Sequence, residues 1–67
     1  MCKKETFYVE ITYSDDSTMN FDVTIEGTDS EIHGTLLMVT RGTLMASMGS
    51  KATAYNDQGF DVCSYVR

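Results

Sequence analysis

The sequence predicts an α+β fold of the order ββαββ, a four-stranded antiparallel sheet with one helix packed on one face. Three observations predict it. Two stretches near the start alternate apolar and polar residues without a fault. The period lengthens after Gly27, where a capping box opens a helix. Two further strand-like stretches flank a polar turn at the end.

In Thr6–Tyr13 the odd positions are Phe7, Val9, Ile11 and Tyr13, and the even ones are Thr6, Tyr8, Glu10 and Thr12. Thr18–Glu26 repeats the pattern with Met19, Phe21, Val23 and Ile25. A period of two over such lengths marks strands with one buried face. Ser14-Asp15-Asp16-Ser17 between them is a short polar turn whose side chains can bond the local backbone, so the pair reads as a hairpin.

Thr28-Asp29-Ser30-Glu31 has the capping-box pattern, with acids at the positive end of the helix dipole. The helix is expected from Asp29 to Met48, with Gly49 as a left-handed stop. Gly34 and Gly42 inside it cost roughly 1 kcal/mol each against alanine, so the helix depends on packing. Lys51–Tyr55 and Phe60–Arg67 then form a second hairpin around Asn56-Asp57-Gln58-Gly59. A helix crossing one face puts the first and third strands in the middle, giving the order 2-1-3-4.

Alternation places Phe7, Val9, Ile11, Met19, Phe21, Val23, Ile25, Phe60, Val62 and Val66 under the helix. At 100° per residue the helix has two apolar sides. One carries Leu37, Met38, Leu44, Met45 and Met48; the other carries Ile32, Leu36, Val39 and Ala46. A single sheet covers one stripe, so the expectation is that the methionine-rich side is a docking surface. The other sheet face is expected to hold Tyr8, Glu10 and Asp22, with Lys51, Tyr55, Asp61, Cys63, Tyr65 and Arg67. Tyr8, Tyr55 and Tyr65 could gather there as a partner-binding patch, since tyrosine supplies apolar area and a polar handle.

Composition narrows the function classes. The chain has 67 residues, which read as a single domain over 1–67. A chain this short buries only about 60% of its unfolded surface and tends to need support from a metal, a disulfide or a partner. Its net charge is −5, and the five bases (Lys3, Lys4, Arg41, Lys51, Arg67) are scattered. Direct nucleic-acid binding and adhesion to anionic membranes are therefore disfavoured. The longest apolar run, Leu36–Val39, is too short to span a bilayer, and Met1-Cys2-Lys3-Lys4-Glu5 leads into no apolar signal segment. Two cysteines, Cys2 and Cys63, fit reduced thiols in the cytoplasm, the expected location.

No constellation for catalysis stands out. His33 has Asp29 and Glu31 nearby but no partner that would make it a positioned base. Cys63 lacks an adjacent base. Asn56–Asp61 departs from calcium-loop spacing, and the five glycines form no phosphate-binding pattern. No enzyme activity, cofactor or metal is expected.

In size, charge and the order of its elements the chain resembles small accessory proteins of bacteria and their phages. Some of these inhibit host defence proteins by presenting carboxylates where phosphates would sit. The resemblance carries over no individual residue. Two functions follow as expectations. The first is a protein–protein interaction module, homodimeric, joined by the helix stripe or a sheet edge. The second is an acidic inhibitor that blocks a basic nucleic-acid site on a defence protein, using Glu10, Asp15, Asp16, Asp22, Asp57 and Asp61.

Overall fold

A computed structural model describes residues 2–67, so Met1 and any reading of the amino-terminal segment that includes it lie outside the described residues. The elements are β1 (Lys3–Thr12), β2 (Thr18–Gly27), α1 (Asp29–Ser47), β3 (Lys51–Tyr55) and β4 (Asp61–Val66). They form one antiparallel sheet in the order β2-β1-β3-β4, with α1 as the crossover from β2 to β3. This is the ββαββ architecture that the residue pattern predicts, with the strand order that a helix crossing one face implies.

Both hairpins close with the same device. In each, a three-residue loop follows a turn bond, Asp16 N–H to Tyr13 carbonyl and Gly59 N–H to Asn56 carbonyl. The third loop residue is left-handed in each, Asp16 at φ 68° and Gly59 at φ 86°. Asn56 Oδ1 accepts from the N–H groups of Gln58 and Phe60, and Asp15 Oδ1 accepts from Ser17 N–H, which fixes the loops locally.

The capping box forms as its residues imply. Thr28 Oγ1 accepts from Glu31 N–H at 3.3 Å, and Thr28 N–H donates to Glu31 Oε1 at 2.9 Å. The far end differs from expectation. The left-handed residue is Met48, at φ 60°, whose N–H returns to the Leu44 carbonyl. Gly49 has another role: a Cβ there would collide with the Ile11 side chain and crowd Leu44 and the Thr12 carbonyl. Glycine is needed because the chain passes tightly against β1 as it enters β3. The Arg67 guanidinium donates to the Met45 carbonyl at 3.2 Å, supplying the cation that the last helical turn itself lacks.

The core joins Ile32, Leu36 and Leu44 of α1 to Phe7, Val9, Ile11, Ile25, Ala52 and Ala54 of the sheet. Ala52 and Ala54 are fully buried, and their small side chains let α1 settle close to β3. The buried helix row is Ile32, Leu36, Thr40 and Leu44, each four residues from the last. An i, i+4 row drifts 40° per step, so a helix crossing a twisted sheet changes its contact side along its length. The core line therefore draws on both apolar sides that the helical wheel separates, and Leu44 is core, not docking surface. Thr40 sits in this row because its Oγ1 donates to the Leu36 carbonyl at 2.7 Å and leaves its methyl group to the core.

The final strand brings a third correction. A bulge lies opposite Ala54 and Tyr55, which pair with Cys63 and Asp61 and leave Val62 as the extra residue. One inserted residue reverses the face of everything beyond it. Cys63 and Tyr65 pack on the helix side, and Cys63 Sγ lies 3.9 Å from Thr40 Oγ1. Val66 moves to the open face, paired with Lys51, and Arg67 turns toward α1. Phe60, placed under the helix by alternation, is 67% exposed at the end of the turn.

Candidate protein-binding surfaces

The open face of the sheet brings four of the singled-out residues into one row. Tyr8 and Asp22 are cross-strand partners, Tyr8 and Tyr55 are partners, and Tyr55 pairs with Asp61. The row Asp22–Tyr8–Tyr55–Asp61 crosses all four strands, with two phenol rings flanked by two carboxylates. The next row is Asn20–Glu10–Thr53–Ser64. Neighbouring residues on one sheet face stand close enough for such side chains to touch. A shallow concavity of about 470 Å³ lies over Tyr8, Glu10, Asn20, Asp22 and Tyr55. Tyr65, expected in this patch, is on the opposite face.

The acids of this row and of its neighbour make none of the ion pairs found. Among the described residues the ion pairs are Lys3 with Glu5 at 2.7 Å, Lys3 with Asp29 at 2.6 Å and Lys4 with Glu26 at 3.8 Å. None involves Glu10, Asp22 or Asp61. The Lys3 ammonium, hydrogen-bonded by Asp29 and then Glu5, is held above the ordinary lysine range. The cations near the amino terminus are thus engaged, and Lys51 is the one base toward the other end of the open face.

The remaining acids do not join the row. Asp15 and Asp16 sit at the tip of the first hairpin, where the Ser17 hydroxyl and then its N–H lower the Asp15 pKa below the usual carboxylate value. Asp57 lies in the second turn, beside Lys4, Glu5 and Thr6, at the opposite end of the sheet.

The outward side of α1 is the other candidate. Met38, Met45 and Met48 are 76%, 57% and 76% exposed, and Leu37 is half-buried. A Cβ added at Gly34 or Gly42 would meet nothing within 4 Å. His33 is exposed beside a second concavity that also borders Glu5, Asp29 and Val62. Cys2 is exposed and Cys63 half-buried, both as free thiols. Among the described residues no helix is long and apolar enough to cross a membrane.

Sequence reasoning finds Tyr8, Tyr55, Asp22, Asp61 and Glu10 but cannot align them without the register. It misses the bulge that removes Tyr65. The only cue to the bulge is the pairing itself. Comparison with protein-family models, with curated proteins and with solved structures finds no match for this chain.

Proposed function

We propose that this chain is a non-enzymatic protein-binding module that receives a basic surface of a partner protein on the open face of its sheet. The observation that carries this reading is the Asp22–Tyr8–Tyr55–Asp61 row, with Glu10 beside it and, among the described residues, no ion pair on any of the three acids. Arginine or lysine side chains laid over the row would meet ring faces and carboxylates together. A cation over an exposed ring contributes about 0.5–1 kcal/mol, and more once water is excluded. Basic surfaces of this kind are the ones proteins use to hold phosphates, so the module would act by occupying a nucleic-acid site. An inhibitor of a nucleic-acid-binding defence protein is one setting that fits.

The test is calorimetric titration of the protein with a synthetic arginine-rich peptide at low and high salt. Binding should weaken steeply as salt screens the carboxylates. Asp22→Asn with Asp61→Asn, and separately Tyr8→Ala, should each weaken it, while Asp16→Asn at the tip of the first hairpin, away from the row, should not. Equal binding by the Asp22/Asp61 double variant and the unmodified chain would sink the proposal.

A second reading rests on α1. Gly34 and Gly42 weaken the helix although, among the described residues, nothing crowds them, and exposed Met48 occupies a left-handed position where glycine is preferred. Local rules broken without compensation mark functional surfaces. Under this reading Met38, Met45 and Met48 form an apolar contact with a protein partner, one that persists at high salt.

A further inference from the structure

We infer that two copies of this chain join edge to edge along β2, making one continuous eight-stranded sheet. This goes beyond the basic-partner reading and stands on different observations.

The backbone identifies what can occupy the edge. Tyr13 N–H bonds to the Ser17 carbonyl, so Tyr13–Ser17 is a bonded pair of the first hairpin. Alternation along the antiparallel ladder then turns the backbone of Met19, Phe21, Val23 and Ile25 toward β1. The N–H and carbonyl groups of Thr18, Asn20, Asp22, Thr24 and Glu26 point outward from the sheet. Water can solvate such a row, but another extended strand pairs it residue by residue.

The three edges are not equally open. Proteins protect edges with lysine, proline, bulges or short strands. The unpaired amino-terminal part of β1 carries Lys3 and Lys4. The edge strand β4 is short and bulged. β2 has ten residues in unbroken register with β1 and contains no lysine, arginine or proline; its only charged residues are Asp22 and Glu26.

Self-complementarity points to a second copy. Consider antiparallel pairings of β2 with itself that keep most of the strand paired. A two-fold axis at Asp22 sets that carboxylate against its own copy, and one at Thr24 sets Asp22 against the partner's Glu26. An axis at Phe21 places Asp22 opposite the partner's Asn20 and Thr18 opposite the partner's Thr24, with no carboxylates opposed along the strands. An axis at Val23 also avoids the clash.

Burial chooses between these two. On its helix side β2 is covered at Ile25, which is 6% exposed, and opens toward Met19, which is 39% exposed, with Phe21 and Val23 half-buried between. α1 starts near the end of β2 and finishes beside Arg67 of the far edge, so it leaves this corner uncovered. The Phe21 axis pairs Phe21 with its copy and Met19 with the partner's Val23, which covers the open corner.

The joined sheet would also run the two acidic open faces together across the seam. Both helices would lie on the opposite side. The proposal therefore leaves the Tyr8–Tyr55 rows free.

Three measurements test it. Light scattering over a concentration series should show the mass rising from 7.5 kDa toward twice that value. Amide exchange on the unmodified protein should slow at least about tenfold at high concentration for Thr18, Asn20, Asp22 and Thr24, as expected for amides newly bonded across a ladder. In a Cys2→Ser, Cys63→Ser background, Phe21→Cys should give a disulfide-linked dimer, because non-bonded antiparallel partners lie about 4.5 Å apart, within disulfide reach. Val23→Cys should stay unlinked, its copies being offset by about 13 Å along the strands. A monomer at every concentration, or a dimer whose exchange slows only on α1, overturns the proposal. Linkage at Val23→Cys without linkage at Phe21→Cys overturns the Phe21 register.

Discussion

Leu44 and Met45 are neighbours in sequence with opposite environments, and replacing each by alanine separates the core from the docking surface. Leu44 is 2% exposed, packed in the core cluster beside the tight passage at Gly49. Truncating a buried leucine to alanine costs about 2–5 kcal/mol, the spread reflecting how far the site can collapse. Fully buried Ile11 and Leu36 in the same cluster restrict that collapse, so about 3 kcal/mol is expected. A chain of 67 residues has a total stability of about 3–10 kcal/mol. Leu44→Ala should therefore remove a third or more of it. With a urea m-value of about 1 kcal/mol/M for so small a domain, the midpoint should fall by about 3 M. Met45 is 57% exposed and touches the Arg67 guanidinium through its sulfur at 3.6 Å. Met45→Ala should change stability by no more than about 0.5 kcal/mol. Urea unfolding followed by far-ultraviolet circular dichroism reads both. Equal, small shifts for the two variants would refute the placement of Leu44 in the core.

The remaining predictions concern glycines, left-handed residues and the helix cap. Gly34→Ala and Gly42→Ala should each stabilise the chain by about 1 kcal/mol, since the added Cβ meets open space, while Gly49→Ala should destabilise it by about 1–3 kcal/mol through collision with Ile11. Thermal melts of the three variants check this, and a Gly49→Ala variant as stable as the unmodified chain would contradict the tight passage. Asp16→Gly and Met48→Gly should each raise stability by about 1 kcal/mol, because both residues are left-handed and both are exposed. Glu31 is held below the ordinary carboxyl range by the Thr28 N–H and then the Thr28 hydroxyl. A depressed folded pKa means the stabilisation is present above the unfolded carboxyl value and is lost as pH falls through the folded one. Urea midpoints on the acid side of that range should drop, and Glu31→Gln should flatten the drop; an unchanged acid limb would contradict the capping role.

Much of the fold is legible in the residues because each element announces itself locally. Period two in β1 and β2 places Phe7, Val9, Ile11 and Ile25 on the buried face, where all four are found. Thr28 and Glu31 locate the start of α1 to the residue. All four residues of the open-face row are legible on that face for the same reason, since Tyr8, Asp22, Tyr55 and Asp61 hold outward positions in alternating strands; their alignment into one row is not. The misplaced residues share a different cause. Tyr65, Cys63, Val66 and Arg67 lie beyond the bulge, and a period read through an inserted residue inverts. Leu44 lies in a row whose contact side shifts as the helix crosses the sheet, which a straight helical wheel does not represent. Gly49 looks like a helix stop in sequence, yet it answers a steric demand from Ile11, a residue far away along the chain.

By itself the sequence determines the kind, order and approximate limits of the elements, because periodicity, capping and turn chemistry act between residues a few positions apart. Only the tertiary structure decides which side of α1 is buried, which way β4 faces after Val62, and that Asp22, Tyr8, Tyr55 and Asp61 form a single row. These depend on how a twisted sheet meets a straight helix and on one unpaired residue in a ladder. Both are relations between distant segments, and no local pattern encodes them.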